Sequence, residues 1–372
     1  MSGSRPKSLC PWRVLSLADW PEGERQAWEA AISPSNPFNR RAGALARRRP
    51  ATLDLYLSAY GNWLGWLEFA GGLGVALPPG SRATLGRVTD YWKAMCAAGL
   101  ADYTVAIRLF NLVPVLKVVA PDEDWRWIGR AAGRIAHGAK RRTDLRTKMR
   151  APEDVVRLGR ELMECADRGD GGSAQADAIL YRDGLLLALQ TFRALRGRNL
   201  SDLELGRTLY RSGDGWKIDF SADEMKGRRA FAMPWPRSLT THLERYLEQH
   251  RAALTGATFP FGPEDGPLWF SPSGQPMGAG LIRKRLKKNT GENLGAEINT
   301  HSFRHIAATT LAEANPEGGT EIAGLLAHSS LGISEKYYNQ ARQIAAGDRY
   351  AQILEARRRA GGVGRRKSTT VC

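Results

Sequence analysis

The run KRRTDLRTKMRAP at 140–152 crowds Lys140, Arg141, Arg142, Arg146, Lys148 and Arg150 into thirteen residues with no apolar periodicity. A stretch like this buries nothing, so it reads as a basic interdomain linker over 140–151 with a separate core on either side. The chain has 372 residues, which is longer than one hydrophobic core usually grows. Hydrophobic residues make up 42% of it, eleven Trp among them, enough for two cores and against general disorder.

Residues 1–49 are rich in Pro, Ser and Arg and end in Arg47, Arg48 and Arg49, which predicts a basic, partly ordered arm. From Thr52, Leu53, Leu57, Tyr60, Leu64 and Leu67 recur at spacings of four and three and so share one helical face. Two further helices are expected, one around Leu85, Val88, Tyr91 and Met95, the other around Val105, Leu109, Leu112 and Leu116 with a kink at Pro114. A fourth runs from about Asp124 to His137, so residues 50–139 read as a small helical bundle.

Beyond the linker, Pro152 suits a first helical residue, and Glu153 and Asp154 complement the helix dipole. A second helix is expected over about 175–193. The texture then changes. LYRSGDGWKIDF sets Asp214-Gly215 between short alternating stretches and RAFAMPW follows, which predicts a three-stranded antiparallel sheet. Helices resume at about 237–253, 278–289, 301–315, 319–328 and 333–343, and residues 346–372 read as a short helix fraying into a basic tail. The fold class expected is mainly α with a small antiparallel β-sheet.

The formal net charge of +16 points to a polyanionic partner, nucleic acid first, because each phosphate neutralised by Lys or Arg releases condensed counterions. No apolar run reaches about 18 residues and no signal-peptide pattern follows Met1, so a soluble, cytoplasmic protein without a membrane partner is expected. Cys10, Cys96, Cys165 and Cys372 are scattered without metal-ligand or disulfide spacing and read as reduced thiols.

The residues with chemistry lie in the second segment. HSFRH begins at 301, and His301 and Arg304, three apart on a helix, can reach one phosphate together. Arginine suits that task because its planar fork donates two parallel hydrogen bonds and its charge does not titrate. Three of the six histidines, His301, His305 and His328, fall in this stretch, and Tyr337 and Tyr338 follow. Upstream, Arg196 sits between a long apolar helix and an apolar stretch, where it would project from an element end toward a cleft. Lys226 occupies the turn EMKGRR between strands. Each motif is weak singly: a surface His and Arg or a solvated turn lysine is the ordinary explanation.

Taken in order, these residues resemble the tyrosine recombinase (phage integrase) family. That family's pattern is an arginine box, a lysine hairpin ending in proline, a HxxR box, then a histidine with the nucleophilic tyrosine nine residues on. This chain has Leu195-Arg196 with Leu200 four residues later, Lys226-Gly227 with Pro234 eight after the lysine, His301 with Arg304, and Ala327-His328 with Tyr337 nine after the histidine. The match covers about 150–345. Residues 50–139 resemble the family's core-binding domain in helical texture only.

The resemblance implies an N-terminal helical, SAM-like core-binding domain at 50–139 and an α+β catalytic domain at 152–345. It implies a site-specific recombinase or integrase, in which Tyr337 attacks a DNA phosphodiester to form a 3′-phosphotyrosyl link. Arg196 and Arg304 would clamp the non-bridging oxygens, His328 would add a hydrogen bond, His301 would serve as base toward the tyrosine and Lys226 as acid for the leaving oxygen. No metal or other cofactor is implied. The expected partners are double-stranded DNA, three further copies in a homo-tetramer on paired sites, and accessory DNA-bending proteins, with a nucleoid-associated location. Arg141, Arg142, Arg146, Lys148, Arg198, Arg283 and Lys284 are the candidate DNA contacts, and Arg193 is expected to face DNA backbone or solvent. The long basic arm and tail favour a mobile-element integrase over a housekeeping resolvase. Two alternatives stay open, a type IB topoisomerase-like nicking and closing enzyme and a catalytically silent DNA-binding protein. The chain departs from the pattern at Asn199, where the family usually has an acidic residue, so a group that a carboxylate would neutralise meets an amide instead.

Overall fold

The computed structural model describes residues 9–34, 43–73, 77–139, 149–225, 227–255, 265–315 and 325–326, and the chain divides into two compact units at 142/143. The first unit contains α1 (Glu22–Ile32), α2 (Pro50–Phe69), α3 (Leu85–Ala97), α4 (Asp102–Val119) and α5 (Arg126–Gly138). Pro50 stands in the first turn of α2, where its missing N–H costs nothing. From Ala59 to Leu67 that helix is buried on every side. α4 contains Pro114 and continues past it to Val119.

Within the segment expected as a partly ordered arm, residues 9–34 pack into the core of this unit. Trp12, Trp20 and Trp28 are buried in one core with Tyr60, Trp63 and Tyr91, and each such ring contributes about 1.5–3 kcal/mol by leaving water. Gly61 and Gly65, one turn apart on α2, let the extended segment lie directly on the helix. A Cβ at Gly61 would stand 2.2 Å from the Leu15 carbonyl oxygen, and one at Gly65 1.8 Å from that of Arg13. The Leu15 N–H donates to the Gly61 carbonyl at 3.0 Å. Pro and Ser content hid this, because the apolar residues involved are widely spaced tryptophans without a helical period.

The second unit opens with α6 (Pro152–Asp167), with Pro152 at its start and Glu153 and Asp154 in its first turn. It packs along α7 (Ala174–Arg193), which is capped by the Ser173 hydroxyl accepting from the Ala176 N–H. α8 (Gly197–Ser201) is a single short turn. The sheet follows: β1 (Glu204–Leu205), β2 (Leu209–Ser212), β3 (Gly215–Phe220), β4 (Phe231–Pro234) and β5 (Gly266–Pro267), in the order β4-β3-β2-β1-β5.

The three antiparallel strands expected are β2, β3 and β4, but among the described residues the sheet has five strands and is mixed, since β1 pairs parallel with β2. Two-residue strands such as β1 and β5 carry no alternation for a sequence to display. The β2–β3 turn also falls one residue earlier than expected, because Ser212 pairs with Gly215 and Gly213 takes φ +60°. Along β3, Trp216, Ile218 and Phe220 face the core. The helix expected over 237–253 is α9 (Thr240–Arg245), a π-helical turn over Tyr246–His250 and α10 (Arg251–Thr255). α11 (Ala279–Leu294) and α12 (Thr300–Ala314) complete the described elements. The helices expected at 319–328 and 333–343 and the tail at 346–372 lie outside the described residues, apart from Leu325 and Leu326.

Candidate active site

The segment from Arg193 to Leu200 is the hub of the site. α7 ends at Ala194, a buried residue held in the left-handed region at φ 44°, which turns the chain so that Arg196 becomes the N-cap of α8. The turn is fixed from inside, since the buried Gln190 amide donates to the Leu195 carbonyl at 2.8 Å. Gly197 allows close approach: a Cβ there would stand 3.2 Å from the Thr300 hydroxyl at the start of α12. Arg196 is half-buried, and burial pulls its pKa below the ordinary arginine range.

α12 brings the second arginine to the same place. Asn299 caps the helix, its side-chain oxygen accepting from the N–H groups of His301 at 2.9 Å and Ser302 at 3.1 Å. One turn in, the Arg304 guanidinium donates to the Ala194 carbonyl at 2.8 Å and to the Leu326 carbonyl at 2.6 Å. Arg304 is therefore anchored two residues from Arg196. A small core of Ala194, Ala308, Ala312 and Leu326 packs beneath this contact.

The lysine hairpin is tied to the same hub at two points. Arg193 donates from Nε to the Pro234 carbonyl at 2.9 Å, at the end of β4. Expected to face DNA backbone or solvent, it is half-buried and spends one donor inside the fold, and burial lowers its pKa. On the other side, the buried Asn199 amide donates to the sulfur of Met225 at 3.3 Å, next in the chain to Lys226. Lys226 itself lies outside the described residues, as do His328 and Tyr337. What the structure brings together is Arg196, Arg304, His301 and the residue before Lys226.

The Asn199–Met225 contact gives the departure from the family pattern a physical reason. A thioether has no proton to give, so the amide donor suits this neighbour and a buried carboxylate would not. Asn199→Asp is expected to cost about 1–3 kcal/mol through an unsatisfied buried acceptor. Thermal unfolding checks this, with a fall of several degrees expected, at roughly 2–4 °C per kcal/mol for a unit of this size.

His301 lies on the exposed side of α12, with its Nε2 3.1 Å from Nε2 of His305 and the two rings at 82°. Burial first, and then the Arg304 charge, lowers its pKa from the usual 6.5. The ring is thus neutral at neutral pH and able to take a proton, and that ability is lost only as pH falls through a midpoint below the ordinary histidine value. His305 carried a signal that the motif pattern did not use: it is the i+4 neighbour of His301.

Of the expected DNA contacts, Arg198 is exposed and pairs with Asp202 at 3.3 Å, while Arg283 and Lys284 are exposed on α11. Arg141, Arg142, Arg146 and Lys148 lie outside the described residues. α11 is held in rotation by the buried Asp183 of α7, which accepts from Arg285 Nε at 2.6 Å and from the Asn289 amide at 2.9 Å. With Arg285 locked inward, Arg283, Lys284, Lys287 and Lys288 line an open groove. Lys287 also pairs with Glu297 at 2.6 Å. Among the described residues, no group of three or more His, Cys, Asp or Glu side chains is placed to hold a metal, and no helix is long and apolar enough to cross a membrane.

The phage integrase family model matches residues 160–343. The chain is 28% identical over 204 residues to the tyrosine recombinase XerC of Stutzerimonas stutzeri (strain A1501), an alignment covering 52% of this chain and 60% of the relative. It is 26% identical over 191 residues to XerC of Pseudomonas fluorescens (strain Pf-5), covering 51% and 59%. The chain thus spans about three fifths of the length of these curated relatives. Among solved structures, the XerH site-specific recombinase bound to palindromic difH substrate aligns with TM-score 0.52 at 15% identity, covering 92% of this chain and 100% of that one. The Tn1549 transposon integrase in complex with transposon right end DNA aligns with TM-score 0.50 at 15% identity, covering 83% and 97%. At these identities the structural likeness concerns the fold, and it agrees with a mainly helical chain bearing a small sheet. With the family model spanning the arginine box, the lysine hairpin, the HxxR helix and the tyrosine, residues 160–343 of this chain are a phage integrase family domain, of the tyrosine recombinase type.

Proposed function

We propose that the chain is a site-specific DNA recombinase that cuts and rejoins double-stranded DNA through a 3′-phosphotyrosyl intermediate. The observation that carries the reading is the Arg304 hydrogen bond to the Ala194 carbonyl, which anchors one arginine of the motif two residues from the other. A guanidinium anchored to the segment that carries the second arginine can answer the extra negative charge of a pentavalent phosphoryl transition state without reorganising as it forms.

In the proposed reaction, the Tyr337 oxygen forms a bond to the scissile phosphorus as the bond from phosphorus to the 5′-oxygen breaks. The tyrosine proton passes to His301, and Lys226 gives a proton to the departing 5′-oxygen. His328 donates a hydrogen bond to a non-bridging oxygen. The released 5′-hydroxyl of a partner strand then attacks the phosphotyrosine, which rejoins the DNA and frees Tyr337. Phosphodiester energy is retained in the covalent link, so no cofactor is consumed. Both XerH and the Tn1549 integrase were solved with DNA, which supports DNA as the partner here.

DNA affinity comes from the basic linker, including Arg141, Arg142, Arg146 and Lys148, together with Arg198 and the exposed face of α11, with most contacts to phosphate. Exchange between two sites requires a tetramer on paired DNA. The net charge of +16 and the basic termini support a mobile-element integrase acting in the cytoplasm at the nucleoid, with accessory DNA-bending proteins as further partners.

Arg283→Ala and Lys284→Ala are each expected to reduce the slope of log affinity against log salt by about 0.9 if they neutralise a phosphate. Fluorescence anisotropy on a fixed duplex between 50 and 200 mM salt, roughly the range in which such slopes are read, measures this. The activity is tested by incubating the protein with nicked suicide duplexes drawn from the DNA flanking its gene. A covalent adduct supports the reading, and its absence on every such duplex favours a silent DNA-binding protein. Recombinant products between two sites, in a second incubation, separate strand exchange from nicking and closing.

A further inference from the structure

The two histidines on the exposed edge of α12 form a pair. Nε2 of His301 and Nε2 of His305 are 3.1 Å apart, with ring centroids 4.5 Å apart and planes at 82°, so one nitrogen donates and the other accepts. The spacing of four residues places them one turn apart, and the Asn299 cap fixes the helix start from which His301 projects. Among the described residues, the charge that acts on His301 is the Arg304 cation on α12 itself, and the segment carrying Arg196 comes up to the start of the same helix, where Gly197 abuts Thr300. A neutral imidazole carries a single proton, so the direction of the bond between the rings decides which His301 nitrogen can act as a base. If Nε2 of His301 accepted, its proton would sit on Nδ1 and no nitrogen would be open to receive another. If Nε2 donates, Nδ1 is open.

We propose that His305 is a positioning residue for His301, accepting its Nε2–H and thereby fixing Nδ1 as the basic atom. This rests on reading His301 as the base in strand cleavage. When His301 takes a proton at Nδ1, its bond to His305 becomes charge-assisted, which strengthens it and favours the protonated form. His305 thus keeps a histidine that lies beside the Arg304 cation from becoming too weak a base.

Nitrogen NMR of the full-length protein with labelled histidines tests this without DNA. The expected result is that His301 in the wild type holds its proton on Nε2 above its titration midpoint. In His305→Leu the preference is lost and the midpoint falls by about half to one pH unit, the difference between a charge-assisted and a neutral hydrogen bond. His305→Gln, whose side-chain oxygen still accepts, restores most of the midpoint. The proposal is overturned if wild-type His301 carries its proton on Nδ1, a result that needs no variant to fold, or if His305→Leu folds with tautomer and midpoint unchanged. In the suicide-substrate assay, the acid limb of the rate profile should move down in His305→Leu along with the NMR midpoint, and a limb that stays put while the NMR midpoint moves contradicts the proposal. A wild type that shows the expected tautomer but forms no adduct sinks the recombinase reading and leaves the hydrogen-bond assignment standing.

Discussion

Arg304→Ala is expected to slow strand cleavage by about a hundred- to a thousandfold or more, the usual cost of removing a preorganised donor from an oxyanion-like transition state. The same substitution removes the donor that serves two carbonyls from distant parts of the chain, Ala194 at 2.8 Å and Leu326 at 2.6 Å. Leaving such acceptors without it costs about 1–3 kcal/mol, so a loss of stability should accompany the loss of rate. Arg304→Lys separates the two effects. Lysine restores the positive charge but has no rigid fork to span both carbonyls, so it should recover less rate than a purely electrostatic role would allow. Single-turnover cleavage at a temperature well below unfolding, with a melting curve for each variant, measures both quantities. A lysine variant that cleaves as fast as the wild type would mean that the fork geometry has no part in catalysis.

Tyr337→Phe is expected to have the largest effect. Removing a nucleophile from a site that otherwise stays intact lowers turnover by roughly 10⁴–10⁶-fold. No covalent adduct should be detectable. DNA affinity should be unchanged, because an uncharged hydroxyl displaces no counterion from the duplex. Tyr338→Phe is the control, since this neighbour is equally hydroxylated but falls ten rather than nine residues after His328. It should retain adduct formation at near wild-type rate. Gel mobility of protein–DNA adducts on a nicked duplex reads both variants, and an adduct that survives in Tyr337→Phe but not in Tyr338→Phe would move the nucleophile by one residue.

The family and the order of its motifs were legible in the sequence because Arg196, Lys226, His301, Arg304, His328 and Tyr337 are fixed by spacing and residue type, which a linear pattern records. The long amphipathic helices were legible for the same reason: Leu53, Leu57, Tyr60, Leu64 and Leu67 repeat with the helical period. What ties the motif residues together was not. Arg193 bonding to the Pro234 carbonyl, Asn199 to Met225, and Arg304 to Ala194 are contacts between a side chain and a partner 26 to 110 residues away, two of them to backbone atoms that have no residue identity to read. Arg193 shows why: an arginine beside a motif arginine reads as a DNA contact until its Nε bond to the Pro234 carbonyl is known. The packing of the N-terminal segment was hidden for a different reason. Its Trp12, Trp20 and Trp28 pack on a helix whose receptive surface is created by the absence of side chains at Gly61 and Gly65.

The recombinase reading requires that this chain become covalently joined to the 3′ side of a broken DNA strand through Tyr337. Mass spectrometry of the nuclease- and protease-digested complex, formed on a nicked suicide duplex, tests it directly. A nucleotide phosphate on Tyr337 is the predicted result. A nucleotide on any other residue, or an unmodified Tyr337 under conditions in which strands are cut, would contradict it.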